Sequence, residues 1–200
     1  MTDFWTHFNI GLKHMLDLCT YTHILFLIAL TVPFEFKSWK KLLILVSLFT
    51  LGHTVSSLTT IFNIITVKSN SIAFLIPIII FIIAFYNILS TGKSNSKNGT
   101  ITFIAILTSC FGIIHGLGYS NYFNSILPVK PTDKVLPLFE FALGIEISQI
   151  IVVILGLLAA YIIQTLFKFT KRDWTLTISA FIVGVVIPMI LQSEIWHKIL

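Results

Sequence analysis

The chain has 200 residues, 56% of them hydrophobic and only 10% charged, with a formal net charge of +5 and a mean hydropathy of +0.96. That balance excludes a soluble domain of this length and points to several apolar runs that each cross a bilayer. The positive charge does not signal nucleic acid, because the lysines lie in short loops between apolar runs, where membrane topology accounts for them.

The expected fold is all-α: a polytopic membrane protein, a bundle of about six transmembrane helices, with residues 1–200 as a single transmembrane domain. Met1-Thr2-Asp3-Phe4-Trp5 lacks a basic region and a small-residue cleavage pattern, so the first helix is expected to be retained. That helix is predicted from about Phe8 to Val32, where Pro33 stops it. Lys37, Lys40 and Lys41 follow, with Trp39 as an interfacial anchor. The second helix is predicted over about Leu42 to Val67, and the polar turn Lys68-Ser69-Asn70-Ser71 leads into a third, about Ile72 to Leu89. Ser90 to Gly99 is an aqueous loop. The fourth helix is about Ile101 to Tyr119, and Ser120 to Lys134, with Pro128 and Pro131, is expected to be an irregular loop. The fifth, about Val135 to Phe167, is long enough to tilt or protrude. Lys168, Lys171, Arg172 and Trp174 mark the next boundary, and the sixth helix runs from about Thr175 to Leu191 with Pro188 near its end. No internal repeat stands out, so an inverted-repeat plan is unsupported. Cys19 and Cys110 fall within apolar spans and are expected to be small buried packing residues.

Six spans place both termini on one side. Loops 1–2, 3–4 and 5–6 carry eight lysines and arginines against four on the opposite side. The positive-inside rule then puts the first set in the cytoplasm and both termini outside.

Six ionisable residues sit inside these spans: His14, Asp17, His23, His53, His115 and Glu146. Each is costly in hydrocarbon, about 2.5–3.5 kcal/mol for a central aspartate. Six such residues in so apolar a chain point to a shared partner. Counted from the cytoplasmic ends at about 1.5 Å per residue, His53 and His115 lie about 18 and 22 Å up their helices. His23, Asp17 and His14 lie about 15, 24 and 28 Å up the first helix on the same count. Glu146 falls near the outer surface or the middle, according to which end of its helix is taken as origin.

His14, Asp17 and Tyr21 share one helical face. His23 lies about 180° from His14 around a continuous helix, so one centre is not expected to use both. A deeper site for His23, with Asn87 and Gln149, is the alternative. Imidazole and carboxylate without a cysteine cluster suit nickel, cobalt, zinc or copper(II) better than calcium or magnesium. Thr54, Ser56 and Ser57 follow His53, as packing hydroxyls or as the wall of a wet path. Gly52, Gly112, Gly116, Gly118 and Gly144 permit close approach of neighbouring helices.

Four blocks in order resemble the HupE/UreJ family of hydrogenase and urease accessory membrane proteins. They are Gly11-Leu12-Lys13-His14-Met15-Leu16-Asp17 with Thr22-His23-Ile24-Leu25-Phe26, Phe49 to Ser56 around Gly52-His53, Phe111 to Tyr119 around His115-Gly116, and Phe141 to Gln149 around Glu146. The resemblance implies a bacterial inner-membrane permease for nickel or cobalt, with His14, Asp17, His23, His53, His115 and Glu146 holding the ion. Thr22, Ser56, Asn87 and Gln149 are expected nearby, in support or along the path. Three positions depart from the family pattern: Thr22 stands where it has aspartate, Ala142 where it has asparagine, and Ser148 where it has glycine. The site around His23 is therefore expected to be weakened or altered in ion preference.

Transport of a divalent transition metal is the leading expectation, with the bilayer and the ion as partners. The alternative is an intramembrane zinc-dependent hydrolase on the same cluster, with Glu146 as general base. Haem ligation by paired histidines ranks below both, since the acidic neighbours gain nothing there.

Overall fold

In the computed structural model, residues 4–17, 21–65, 67, 69–92, 97–126 and 129–196 are described. Among them the chain is helical throughout, with no strand. In order the helices are α1 (Phe4–Leu16), α2 (Thr22–Thr31), α3 (Trp39–Ile61), α4 (Ser69–Ser90), α5 (Lys97–Ile126), α6 (Val135–Leu166) and α7 (Lys171–Leu191). Five of them, α3 to α7, are long and apolar enough to cross a membrane. Together with the α1–α2 segment this is a multi-pass helical membrane protein, as composition predicts.

The first span differs from its prediction. The single helix expected over Phe8 to Val32 is two helices: Asp17 is not helical, and α2 begins afresh at Thr22 after Tyr21. No proline or glycine stands between Leu16 and Thr22, so nothing in the local sequence marks a stop. At about 15 Å, α2 covers only half of a hydrocarbon core of about 30 Å. Non-helical backbone at such a depth is tolerated where it lines a cavity or is buried in protein. Asp17 lines a cavity here.

The remaining boundaries follow from end chemistry. α3 stops at Ile61 because Asn63 takes a left-handed φ of 56°, a conformation that ends helices and that asparagine tolerates. α5 continues to Ile126, so the irregular loop expected from Ser120 starts later than predicted; no helix breaker occurs before Pro128, which lies outside the described residues. Pro131–Lys134 form a 3-10 turn rather than loop. α7 begins four residues earlier than expected because Thr170 caps it, its hydroxyl oxygen accepting from the Asp173 N–H at 3.1 Å.

Two glycine-lined seams run through the bundle, beside the packing of α4 on α7. Along the first, α3 and α5 run parallel, Phe49 facing Gly112 and His53 facing Gly116. A Cβ on Gly112 would strike the Phe49 carbonyl oxygen, and one on Gly116 would strike that of His53. Without a side chain there, the two backbones meet directly, the packing used where lipid supplies no hydrophobic drive. Along the second seam, α1 crosses α6: Gly11 lies on the Phe141 carbonyl, and Gly144 lies on Phe8 and Leu12. Leu136, Phe139, Leu143, Ile147, Ile154 and Leu158 are exposed at helical spacing on the outer face of α6, a lipid-facing stripe. Cys110 is exposed as well, between exposed Ile106 and Ile113 on α5. The buried packing role expected of it is therefore incorrect: it faces outward with that stripe. Cys19 lies outside the described residues.

Candidate metal centre

The broken span brings together what a continuous helix would hold apart. His14 stands in the last turn of α1, His23 in the first turn of α2, and His115 on α5. Their Nε2 atoms converge, with His14 and His115 separated by 3.2 Å and His23 and His115 by 2.6 Å. Each of the three offers a ligand nitrogen within 4.8 Å of the others. Four-coordinate binding at about 2.0–2.1 Å per nitrogen puts neighbouring ligands about 3.3 Å apart. The 3.2 Å pair already has this spacing, and the 2.6 Å pair has to open by about 0.7 Å to admit a cation. The expectation that His14 and His23 serve different sites is thus overturned. The 180° separation assumed helical geometry through residues 17–21, and that geometry is absent at Asp17.

His53, on α3, stands beside the trio. Its ring centroid is 5.7 Å from that of His115, and it is wholly buried with neither ring nitrogen partnered among the described residues. His115 Nδ1 is also without a partner there. Buried imidazole nitrogens left unpaired are costly in a native protein, and a ligand is one way to satisfy them.

The trio forms the floor of a cleft of about 1060 Å³. Asp17, Thr22 and Lys13 line its walls with the first turns of α4, where Ile72, Ala73 and Ile76 face it. Asp17 is exposed and Thr22 half-buried, both within the cleft rather than in the nitrogen cluster. Gly118 also lines it, and a Cβ there would press on Ile72 at 2.9 Å. Beneath the cluster lie Phe26, Phe49 and Phe111, none of them exposed, with Phe26 and Phe111 stacked at 4.0 Å. The centre is open on one side and closed by aromatic rings on the other.

The remaining expected residues lie elsewhere. Glu146 turns towards α3, where its carboxylate accepts from the hydroxyls of Ser47, at 2.6 Å, and Thr50. Gln149 is wholly buried, with its amide oxygen 3.3 Å from the Thr50 hydroxyl. Asn87 is buried against α2 and donates to the Ala29 carbonyl at 2.8 Å. Ser56 donates to the His53 carbonyl and Ser57 to that of Gly116, so both serve the α3–α5 seam.

One pair escaped the sequence reading: His7 Nδ1 lies 2.8 Å from Glu140 Oε2, both side chains buried, tying α1 to α6. His7, Gly11 and His14 fall at i, i+4 and i+7 on one face of α1. That spacing was a usable signal. Tyr119, whose ring lies 4.3 Å from that of His14, is a second neighbour the sequence did not mark.

Three imidazole nitrogens with a carboxylate nearby make a borderline-soft donor set, fitted to first-row transition metals rather than to calcium or magnesium. No curated protein and no solved structure matches the chain. The family described as HupE / UreJ protein matches residues 1–194. A helical membrane bundle with a histidine centre, covered almost end to end by that match, belongs to the HupE/UreJ family, a membrane family linked to nickel and cobalt handling.

Proposed function

We propose that the protein is an inner-membrane permease for a divalent transition metal, nickel or cobalt first and zinc or copper next. The observation that carries this reading is the place of the histidine trio: where α1 gives way to α2, lining a cleft of about 1060 Å³. In transporters, helices that are interrupted within the bilayer bind the ion with the groups at the interruption. The positive-inside count places the cleft mouth and both termini outside the cytoplasm. The ion enters past Asp17, exchanges water for His14, His23 and His115, and can engage His53 if that ring turns. Release to the other side requires the Phe26–Phe49–Phe111 floor to part. Three neutral nitrogens bind less firmly than a full tetrahedral cage of thiolates, which suits an ion that has to leave again.

The hydrolase reading has less support. Its general base, Glu146, is engaged by Ser47 and Thr50 on α3 and is not part of the trio.

The test is uptake by proteoliposomes carrying the purified protein and a metal-sensitive dye. Nickel or cobalt entry is expected, and His115→Ala should abolish it. Vesicles that bind one ion per chain and admit none would overturn the reading.

A further inference from the structure

The carboxylate that the sequence assigns to the metal stands in a chemically different place. Ser47 and Thr50, at i and i+3 on α3, face Glu146 and Gln149, at i and i+3 on α6. The atoms that meet there are all oxygens: both carboxylate oxygens of Glu146, the two hydroxyls, and the Gln149 amide oxygen. Gln149 is wholly buried, and its amide nitrogen has no partner among the described residues. Thr50 has one hydroxyl proton for three close acceptors, a Glu146 carboxylate oxygen, the Gln149 amide oxygen and the Val46 carbonyl, so lone pairs outnumber protons in the niche. Glu146 is a carboxylate inside a membrane span. The ion pairs among the described residues are His7 with Glu140 and Lys171 with Glu35, and neither includes Glu146.

From this geometry we infer that Glu146, Ser47, Thr50 and Gln149 form a second cation site, separate from the histidine trio, for a sodium-sized monovalent ion. Hard oxygen donors select a hard cation, whereas borderline transition metals favour the nitrogens of the trio. One negative charge, with otherwise neutral donors, is balanced by one positive charge. A divalent ion would leave a net charge in hydrocarbon, which is costly. Hydroxyls that now donate to the carboxylate can rotate to present lone pairs to the ion, so no backbone rearrangement is needed. Binding at this niche does not depend on whether the protein moves nickel.

The experiment uses the purified full-length chain in lipid nanodiscs. Its thermal unfolding midpoint is measured in sodium, potassium and choline chloride at matched ionic strength, alongside binding of radiolabelled sodium. A ligand that binds only the folded state raises the midpoint with its concentration. Sodium should raise it and bind at one site per chain, and potassium and choline should not. Thr50→Val, close to isosteric, and Glu146→Gln should remove both effects, while His115→Ala retains them. Thr50→Val should keep its nickel stoichiometry. Equal midpoints in the three salts overturn the inference, as does an equal shift with potassium. A sodium effect that survives in Thr50→Val overturns it too, even if Glu146→Gln fails to fold. So does loss of nickel binding in Thr50→Val, which would merge the niche with the trio.

Discussion

The α3–α5 seam and the α1–α2 span are built on opposite principles. In the seam, glycines bring two unbroken helices into backbone contact, and His53 and His115 project from a rigid base. In the first span the helix is interrupted, and His14 and His23 sit on either side of the interruption. The contrast shows two ways of bringing side chains to one cluster. α5 fixes the position of His115, and α1 and α2 bring two further rings to it from two separate helices. α1 in turn is held on α6 by the Gly11–Gly144 crossing and by His7–Glu140.

The seam is the more fragile of the two to substitution. Gly112→Leu places a side chain against the Phe49 backbone, which cannot yield as a side-chain tip would. Overpacking of this kind costs about 3 kcal/mol or more, so the variant should yield little monodisperse protein on size-exclusion chromatography. A normal yield and midpoint would mean that the seam is looser than it stands here.

At the centre, His115 makes both close nitrogen contacts, and His14 and His23 make one each with it. His115→Ala should therefore lower metal affinity by more than about 100-fold, beyond the usual effect of losing a residue that only supports a ligand. His14→Ala and His23→Ala should each have a smaller effect. Elemental analysis and competition titration of the four proteins would show the order, and equal losses would refute the central place of His115.

The hold on α1 is tested by Glu140→Gln, which removes the charge from the buried pair with His7. A loss of about 1–3 kcal/mol in stability is expected from weakening a buried hydrogen bond. If the pair positions α1, metal affinity should fall with it, while Gly112-seam reporters such as protection of the α5 backbone amides should not change.

The smallest effect is expected at the exposed end of the bundle. Glu35 accepts from Lys171 at 2.9 Å, and the hydrogen bond and charge of that lysine hold its carboxyl below the ordinary 4.5. A carboxyl depressed in the folded state adds stability above the unfolded value and loses it as pH falls through the folded one. Both side chains are about half exposed, so the pair is worth about 0–1 kcal/mol. Glu35→Gln should lower the unfolding midpoint slightly at neutral pH, and the difference should vanish in acid.

Much of this was legible in the chain. The apolar runs and the lysine-bearing loops mark the five long helices α3 to α7, because hydrocarbon leaves a backbone no alternative to internal hydrogen bonds. The intramembrane histidines pointed to a shared cluster, because polarity in a span is costly, and three of them converge. Gly112, Gly116 and Gly144 announced close contacts, and these occur.

Only the tertiary structure decided the rest. A helix break at Asp17 carries no local mark, since neither proline nor glycine stands there, and the phase of His23 depends on it. Whether Glu146 serves the nitrogens or the hydroxyls of α3 depends on how α3 and α6 are rotated against each other, which no periodicity within either helix encodes. Spacing along one helix fixes which residues share a face. Which face meets which is settled by packing among all of them at once, and that placed imidazoles together at one centre and oxygens together at another.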